Sequence, residues 1–279
     1  MQDPAPTHTS WWPAGQNWHV RFFQVDCFAD RPFAGNPNAV VLLNSHWPAA
    51  EWLQQLAAEV NLPATAFVRH AQPHLGLRWF SPRTELTLCG SGTLAAAHIL
   101  WELGERTETL GFTTSAGPLE ARLRPDHRIT LNLPSDDPRS VPVGPELVDA
   151  LGVRPQAAAR GRLDLLAELD SADAVRCIKP DLASLAMLEA RGLIVTAPGE
   201  ADIDFVSRFF APAAGIDEDP ATASAHCTLA AYWSAKLNKT ALTGHQASAR
   251  GGYIDVHLNG DRVDLTGRAV TITRGELTI

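Results

Sequence analysis

The sequence has little cysteine: Cys27, Cys89, Cys177 and Cys227 stand far apart in the chain. None belongs to a CxxC pair, and none has a histidine at zinc-ligand spacing. The sequence therefore offers neither a disulfide framework nor a finger-type metal site. We expect a protein without metal that resides in a reducing compartment, the cytoplasm.

Long apolar runs are also absent. No segment approaches the roughly 18 apolar residues that a membrane-spanning helix needs, which predicts a chain that neither crosses a bilayer nor is anchored in one. Residues 1–17 are rich in Pro, Thr and small side chains, and they lack the basic start and apolar stretch of a secretion signal. We interpret them as a flexible lead-in.

Charge of one sign is not concentrated anywhere in the chain. The formal net charge is -8, and acidic and basic residues are interspersed, so there is no basic stripe that could neutralise phosphates. This argues against nucleic acid as a partner. What the chain does have is 45% hydrophobic residues over 279 positions, enough for one or two cores of a soluble globular protein.

Hydrophobic periodicity and turn residues predict an alternation of strands and helices. Two helices stand out because a turn of small residues precedes each of them. The predicted elements are strands at 19–28, 39–43, 65–70, 76–80, 119–124 and 128–133, helices at 48–60 and after residue 89, a helical stretch to about 169, strands near 173–179 and 193–197, a helix after residue 220, and strands at 252–258, 262–265 and 269–274.

The segment 134–148 concentrates Pro, Ser and Asp and is the best linker candidate. We place a boundary there, with an N-terminal domain of residues 18–133 plus 268–279 and a C-terminal domain of residues 134–267. Each half contains strands, a small-residue turn and an Ala/Leu helix: CGSGTLAAAHIL in one, DPATASAHCTLAAYW in the other. This predicts a duplicated α/β fold with a ligand between the halves, although such helix starts also recur by chance.

The two turns are candidate anion sites because a helix N-terminus offers unpaired N–H groups and the positive end of the macrodipole. Gly90, Gly92, Ala223 and Ala225 would let a ligand approach the backbone closely. Facing one another across a cleft, the turns would bind an anionic small molecule and stabilise negative charge that develops beside its carboxylate. The structural alternative is two ordinary capped helix starts.

Asp219 and Cys89 are the candidate reactive groups of these turns. Asp219-Pro220 is a favoured N-cap and first-turn pair, and a carboxylate there is expected to stay ionised and to orient a substrate. Cys89 precedes the other helix, where its thiol pKa could fall, but most buried cysteines only pack. His98 and His226 lie inside the Ala-rich helices, and we interpret both as packing residues.

Four blocks, in order over residues 20–279, resemble the phenazine-biosynthesis PhzF-like isomerase family. The resemblance implies an α+β fold of two pseudo-symmetric domains like diaminopimelate epimerase, each a curved, mostly antiparallel sheet around a central helix. It also implies an active site in the cleft, no cofactor, and proton transfer on small carboxylate-bearing metabolites. The blocks are VDCFADRPFAGNPNAVVLL, LRWFSPRTELTLCGSGTLAAAHILWELG, SRFFAPAAGIDEDPATASAHCTLAAYW and ARGGYIDVHLNGDRVDLTGRAVTITRGEL.

The resemblance also assigns site residues. Asp219 and Ser224 match the family's EDPxTGSA motif, and Asn36 matches its substrate-side asparagine loop. Two positions depart from the family pattern: Ala64 replaces the glutamate of NLSETAF, and Ser91 replaces the histidine of CGHAT. The expected catalytic residues are Asp219 and Cys89. The expected substrate-binding residues are Asn36, Ala64, Gly90, Ser91, Gly92, Thr222, Ala223 and Ser224.

Three functions are compatible with these residues. The first is an isomerase of a specialised biosynthetic pathway with altered acid/base residues, for which the family offers a precedent in the route to 4-alkylproline precursors. The second is a lyase or cyclase in the same cleft, and the third is a silent small-molecule-binding protein. Thr222 stands where the epimerase branch has its second cysteine, which argues against a two-thiol epimerase. Exposed sheet edges and family habit predict a homodimer.

Overall fold

The computed structural model describes residues 20–44, 46–71 and 74–278, so the predicted lead-in of residues 1–17 lies outside the described part of the chain. Strands dominate, and two of the helices are buried at the centre. Among the described residues, no helix combines the length and the apolar character that crossing a membrane would require.

The first half of the molecule places strands around a central helix, α2 (Gly90–Glu102). Alternation sets the faces of these strands: in the strand 117–123, Leu119 and Ala121 are buried whereas Pro118 and Glu120 are exposed. The elements of the first half are β1 (Val20–Cys27), β2 (Asn36–Leu43), α1 (Ala50–Val60), β3 (Ala64–Ala71), β4 (His74–Phe80), β5 (Glu85–Leu86), α2 (Gly90–Glu102), β6 (Thr109–Thr114), β7 (Gly117–Leu123), β8 (Ile129–Pro134) and the last strand of the chain, which is β18 (Ala269–Leu277).

The second half repeats this plan around the central helix α6. Its elements are β9 (Arg139–Val141), α3 (Pro145–Leu151), β10 (Ala157–Arg160), β11 (Leu165–Glu168), α4 (Ala172–Cys177), α5 (Leu182–Ala186), β12 (Leu193–Pro198), β13 (Phe205–Ala211), a 3-10 turn at Pro212–Ala214, β14 (Ile216–Asp219), α6 (Ala223–Leu237), β15 (Ala241–Gln246), β16 (Gly252–Asn259) and β17 (Arg262–Gly267).

One continuous ladder of backbone hydrogen bonds joins the halves. The strand order is β18-β1-β2-β3-β4-β6-β7-β8-β17-β16-β15-β13-β12-β11-β10-β9, with β5 added to β4 and β14 to β13. The joint is the antiparallel pair β8–β17, and β18 returns to pair with β1. Because no break separates the halves, the division into domains near residue 134 stays a prediction.

Two local predictions were wrong. The stretch up to residue 169 contains the strands β10 and β11 rather than a continuing helix, and residues 172–177 form α4 rather than a strand. Ala and Leu favour helices, but here short runs of them are buried between neighbouring strands, so tertiary pairing overrides propensity. The start of α4 has a local cause, since the Ser171 hydroxyl accepts a hydrogen bond from the Ala174 N–H.

The predicted linker is fixed to the second half rather than extended. The Asp136 carboxylate accepts hydrogen bonds from the Thr228 hydroxyl of α6 (2.9 Å) and from the Arg162 backbone N–H (3.0 Å). A buried carboxylate needs such partners because burial without them is costly. This segment is therefore part of the packed structure.

The helices α2 and α6 share one hydrophobic core and meet at their first turns. Both are buried on nearly every side, and residues of both halves, such as Leu94 and Leu229, belong to the same core cluster. The backbones approach so closely that a Cβ added to Gly90 would overlap with that of Ala223. Glycine is therefore the residue that this contact accommodates.

Replacing Gly90 tests this contact. We expect Gly90→Ala to lower the free energy of unfolding by about 1–3 kcal/mol, the usual cost of overpacking, because the added methyl must push the two helices apart. Urea-induced unfolding measures the difference. Gly111→Ala is the matched control, since a Cβ there meets nothing within 4 Å. Equal stability of the two variants would show that the helices are not in close contact.

Candidate active site

The first turn of α2 is fixed by Cys89. Cys89 is the N-cap, and its sulfur accepts a hydrogen bond from the Gly92 N–H at 3.4 Å. The Thr93 hydroxyl donates to the Cys89 carbonyl at 2.7 Å. Gly90, Ser91 and Gly92 are buried behind this cap, whereas Cys89 is half-buried. The predicted residues of this turn therefore lie together.

The first turn of α6 begins later than the sequence predicts. Thr222, not Asp219, is the N-cap, and Asp219 ends the strand β14. The capping interpretation of Asp219-Pro220 was wrong because the Asp219 carboxylate is engaged elsewhere: it accepts a hydrogen bond from the Thr222 hydroxyl. The Thr222 N–H in turn donates to the Gln246 side-chain carbonyl at 2.7 Å.

A buried hydrogen bond connects Asp219 with the first half. The Asn36 amide donates to Asp219 Oδ1 at 2.7 Å and to the Ala221 carbonyl at 2.8 Å. Asn36 lies at the start of β2, so the sequence separation across this contact is 183 residues. One amide group thus holds the carboxylate and the loop that leads into α6.

Asn38 extends the network to α2. Asn36 and Asn38 are two residues apart on β2 and face the same side of the sheet. The Asn38 amide donates to the Asn36 carbonyl at 3.0 Å, and the Ser91 hydroxyl donates to Asn38 Oδ1 at 3.2 Å. The chain Ser91–Asn38–Asn36–Asp219–Thr222 therefore joins the two first turns, and we call it the polar junction.

Ala64 lies beside the polar junction. It starts β3, where it is the register partner of Asn38 in the parallel ladder β2–β3. Its side chain is only 2% exposed. A family glutamate at this position would stand next to Asn38. In this conformation the Ala64 methyl group is enclosed by protein. Contact between Ala64 and a substrate therefore stays a prediction.

Burial controls the electrostatics of Asp219. The side chain is 9% exposed, and burial raises the pKa of its carboxyl to about 6, against the opposing effect of the hydrogen bonds from Thr222 and Asn36. This differs from the expectation of a carboxylate held firmly ionised at a helix start, because Asp219 does not cap the helix. A carboxyl with this pKa exchanges its proton readily near neutral pH.

Cys89 is a poorer proton carrier. Burial raises the pKa of its thiol, although hydrogen bonds with Ser91 and Gly92 act in the opposite direction. The expected fall in the thiol pKa is thus outweighed by the loss of hydration. Cys89 is a neutral thiol at pH 7, and a reactive thiolate is not formed in this conformation.

His226 is a packing residue, as its position in the helix suggests. It is fully buried, its Nδ1 lies 2.8 Å from the Thr222 carbonyl, and its ring lies against Phe205. Because the carbonyl can only accept, Nδ1 carries the proton. Burial lowers the pKa of His226 to about 4, so the ring is neutral at pH 7.

Three residues of the site were missed from sequence. Asn38 and Gln246 connect the turns to their sheets, and Arg191 donates to the Ser224 hydroxyl at 3.0 Å. The repeated asparagine in GNPN, with a spacing of two on a strand, could have indicated Asn38. Nothing near Gln246 or Arg191 in the sequence points to the turns, since only the fold brings them there.

The fold and the site define a class: an α+β protein of two halves, with two central helices whose first turns meet at a buried polar junction. A family model described as phenazine biosynthesis-like protein, PhzC-PhzF, matches residues 25–275. The chain belongs to this family. Both the resemblance seen in the sequence and the fold class are therefore confirmed.

Individual relatives cover nearly the whole chain. An uncharacterised isomerase of Pseudomonas aeruginosa is 47% identical over 261 residues, which are 93% of this chain and 99% of that protein. A crystal structure of a PhzF-family protein from Enterococcus faecalis is 38% identical, with a TM-score of 0.89 over 94% of this chain and 100% of its own. A hydroxyproline epimerase from Agrobacterium vitis, 13% identical with a TM-score of 0.59 over 93% and 92%, shares the fold alone.

The raised pKa of Asp219 predicts a pH-dependent stability difference. Between the unfolded pKa near 3.9 and the folded value of about 6, the folded protein holds a proton that the unfolded chain has lost. The stabilisation from this proton is complete below about pH 4 and is lost as the pH rises through about 6, a change of up to about 3 kcal/mol.

We therefore compare the free energy of unfolding of wild type with that of Asp219→Asn. The difference, wild type minus variant, should fall by up to about 3 kcal/mol between about pH 4 and pH 6 and stay constant above pH 6. Urea unfolding at several pH values measures it. Asp217→Asn is the control, because Asp217 lies exposed on the same strand. A difference that is flat across this range would contradict a raised pKa.

Proposed function

We propose that the protein is a cofactor-independent isomerase that moves a proton, and with it a double bond, in a small carboxylate-bearing metabolite bound beside the first turns of α2 and α6, where these helices meet. Asp219 is the group that carries the proton. The observation that supports this most directly is the position of Asp219: a buried carboxyl with a pKa of about 6, held by both halves at the polar junction.

The proton role falls to Asp219 by its chemistry. The methyl of Ala64 cannot exchange a proton, and the Cys89 thiol is held neutral by burial. Asp219 is ionised at pH 7, which is only about one unit above the pKa of its carboxyl. This small difference suits a general base that must later return the proton. Its two oxygens are oriented by Asn36 and Thr222, so little rearrangement is needed during transfer.

The helix ends supply the electrostatic part of the reaction. Abstraction of a proton beside a carboxylate produces negative charge, which is stabilised by fixed N–H groups and by the positive ends of helix dipoles. α2 spans 13 residues and α6 spans 15, and both begin at the polar junction. Two such ends near one ligand would favour the intermediate, which carries additional negative charge, over the substrate carboxylate.

The family relationship supports the reaction class and suggests which substrates to test. The related protein of Pseudomonas aeruginosa is named an isomerase. A specialised biosynthetic pathway and a 4-alkylproline-type precursor are the first case to test. The usual dihydroxyanthranilate-type substrate of the family is expected to react poorly, because the glutamate that would move its proton is Ala64 here.

Proton exchange with deuterated water tests the proposal. Candidate unsaturated cyclic acids are incubated with the protein in D2O, and NMR follows both deuterium uptake and double-bond position. We expect Asp219→Asn to slow exchange by about 10² to 10⁴, the usual contribution of a general base. Because the base must be ionised, the wild-type rate should rise with pH through about 6 and then level off.

The controls separate the roles of neighbouring groups. Asp217→Asn makes the same chemical change at an exposed position of β14 and should leave exchange unchanged. Cys89→Ala should change the rate by only a few fold. Exchange that survives in Asp219→Asn would remove Asp219 from the mechanism, and binding of an acid without any exchange or turnover would indicate a silent binding protein.

A further inference from the structure

Arg191 presents a fixed cation at the first turn of α6. Its Nε donates to Asp164 Oδ1 at 2.9 Å, and its Nη2 donates to the other carboxylate oxygen. The Asp164 side chain is only 2% exposed, so this pair is anchored in the protein. The guanidinium also lies over the Phe209 ring, with Cζ 5.5 Å from the ring centre. These contacts leave the guanidinium one orientation.

This orientation directs Arg191 towards the active site. Its Nη2 donates to the Ser224 hydroxyl at 3.0 Å, and Ser224 is the second residue of α6. Phe209, beneath the guanidinium, is the register partner of Asp219 between β13 and β14. The positive charge also lowers the pKa of both Asp219 and Cys89, against the larger effect of burial, so it acts on both turns.

Part of the guanidinium remains open to a ligand. Within the described part of the chain, Nη1 makes no hydrogen bond, and the Arg191 side chain is 34% exposed. Ser224 beside it is half-buried. A guanidinium edge and a hydroxyl group at the start of a long helix are suitable donors for a carboxylate.

We propose that Arg191 selects the substrate by binding its carboxylate through Nη1, together with the Ser224 hydroxyl, at the first turn of α6. In this arrangement the carbon next to the carboxylate faces Asp219. The position of this carbon rests on the proposed function, whereas the binding of the carboxylate does not depend on turnover. Arg191 is thus a specificity residue, and Asp164 and Phe209 are the groups that position it.

Pairs of acids and their amides test this assignment. Benzoate with benzamide, anthranilate with anthranilamide, and L-proline with L-prolinamide differ in charge at one group and little in shape. Calorimetric titration of the full chain gives each dissociation constant. We expect wild type to bind at least one acid more tightly than its amide, and Arg191→Gln to weaken that acid by about 10- to 100-fold while leaving the amide unchanged.

Three further variants separate loss of the carboxylate contact from loss of folding or of charge. Arg191→Gln leaves the buried Asp164 without its partner, so the double variant Arg191→Gln/Asp164→Asn removes both charges, and thermal melting by circular dichroism checks that each variant folds. Arg191→Lys keeps the charge but not the planar fork, and should lose most of the preference for the acid. Arg176→Gln, which breaks two exposed ion pairs in the same half, should keep the preference for the acid.

The outcomes distinguish this inference from the isomerase proposal. If no acid binds more tightly than its amide, or if the folded double variant keeps the preference, Arg191 is not the carboxylate anchor. A preference that depends on Arg191, in a protein without proton exchange, supports the anchor and rejects the isomerase. Proton exchange that needs Asp219 but is insensitive to Arg191 supports the isomerase and rejects the anchor.

Discussion

The hydrogen bond between Asn36 and Asp219 is the constraint on which the rest of the site depends. It joins β2 to the end of β14 and holds the loop that leads into α6. Without this donor, one buried oxygen of the carboxyl would lose its hydration with no replacement, and only the hydrogen bond from Thr222 to the other oxygen would remain. The course of the loop after Asp219 depends on this contact. The same hydrogen bond opposes the rise that burial causes in the pKa of the carboxyl.

Local signals in the sequence were sufficient to find the two first turns. Small residues directly before an Ala/Leu helix identify a helix start without knowledge of the fold, and the order of four family blocks identifies the architecture. The partners of these turns could not be found in the same way. Asn38 is 53 residues from Ser91, and Arg191 is 33 residues from Ser224, so their proximity is a product of sheet topology.

From the sequence, Asp219 was expected at a cap that Thr222 occupies, and a lowered thiol pKa was considered for Cys89, whose pKa burial raises instead. Both expectations counted the helix dipole and left out dehydration, which depends on how much protein surrounds a group. The same limit explains β10 and β11, where Ala and Leu were assigned to a helix. Propensity and dipole are properties of a segment, whereas burial is a property of the whole chain.

The position of β18 has a consequence for biosynthesis on the ribosome. β1 leaves the exit tunnel long before its outer neighbour β18, and β8 likewise leaves before its partner β17. Until then, the nascent first half has two strand edges with unsatisfied N–H and C=O groups, which are templates for pairing with other chains. Arg21, exposed on β1, is a charged side chain of the kind that discourages such pairing while β18 is still absent.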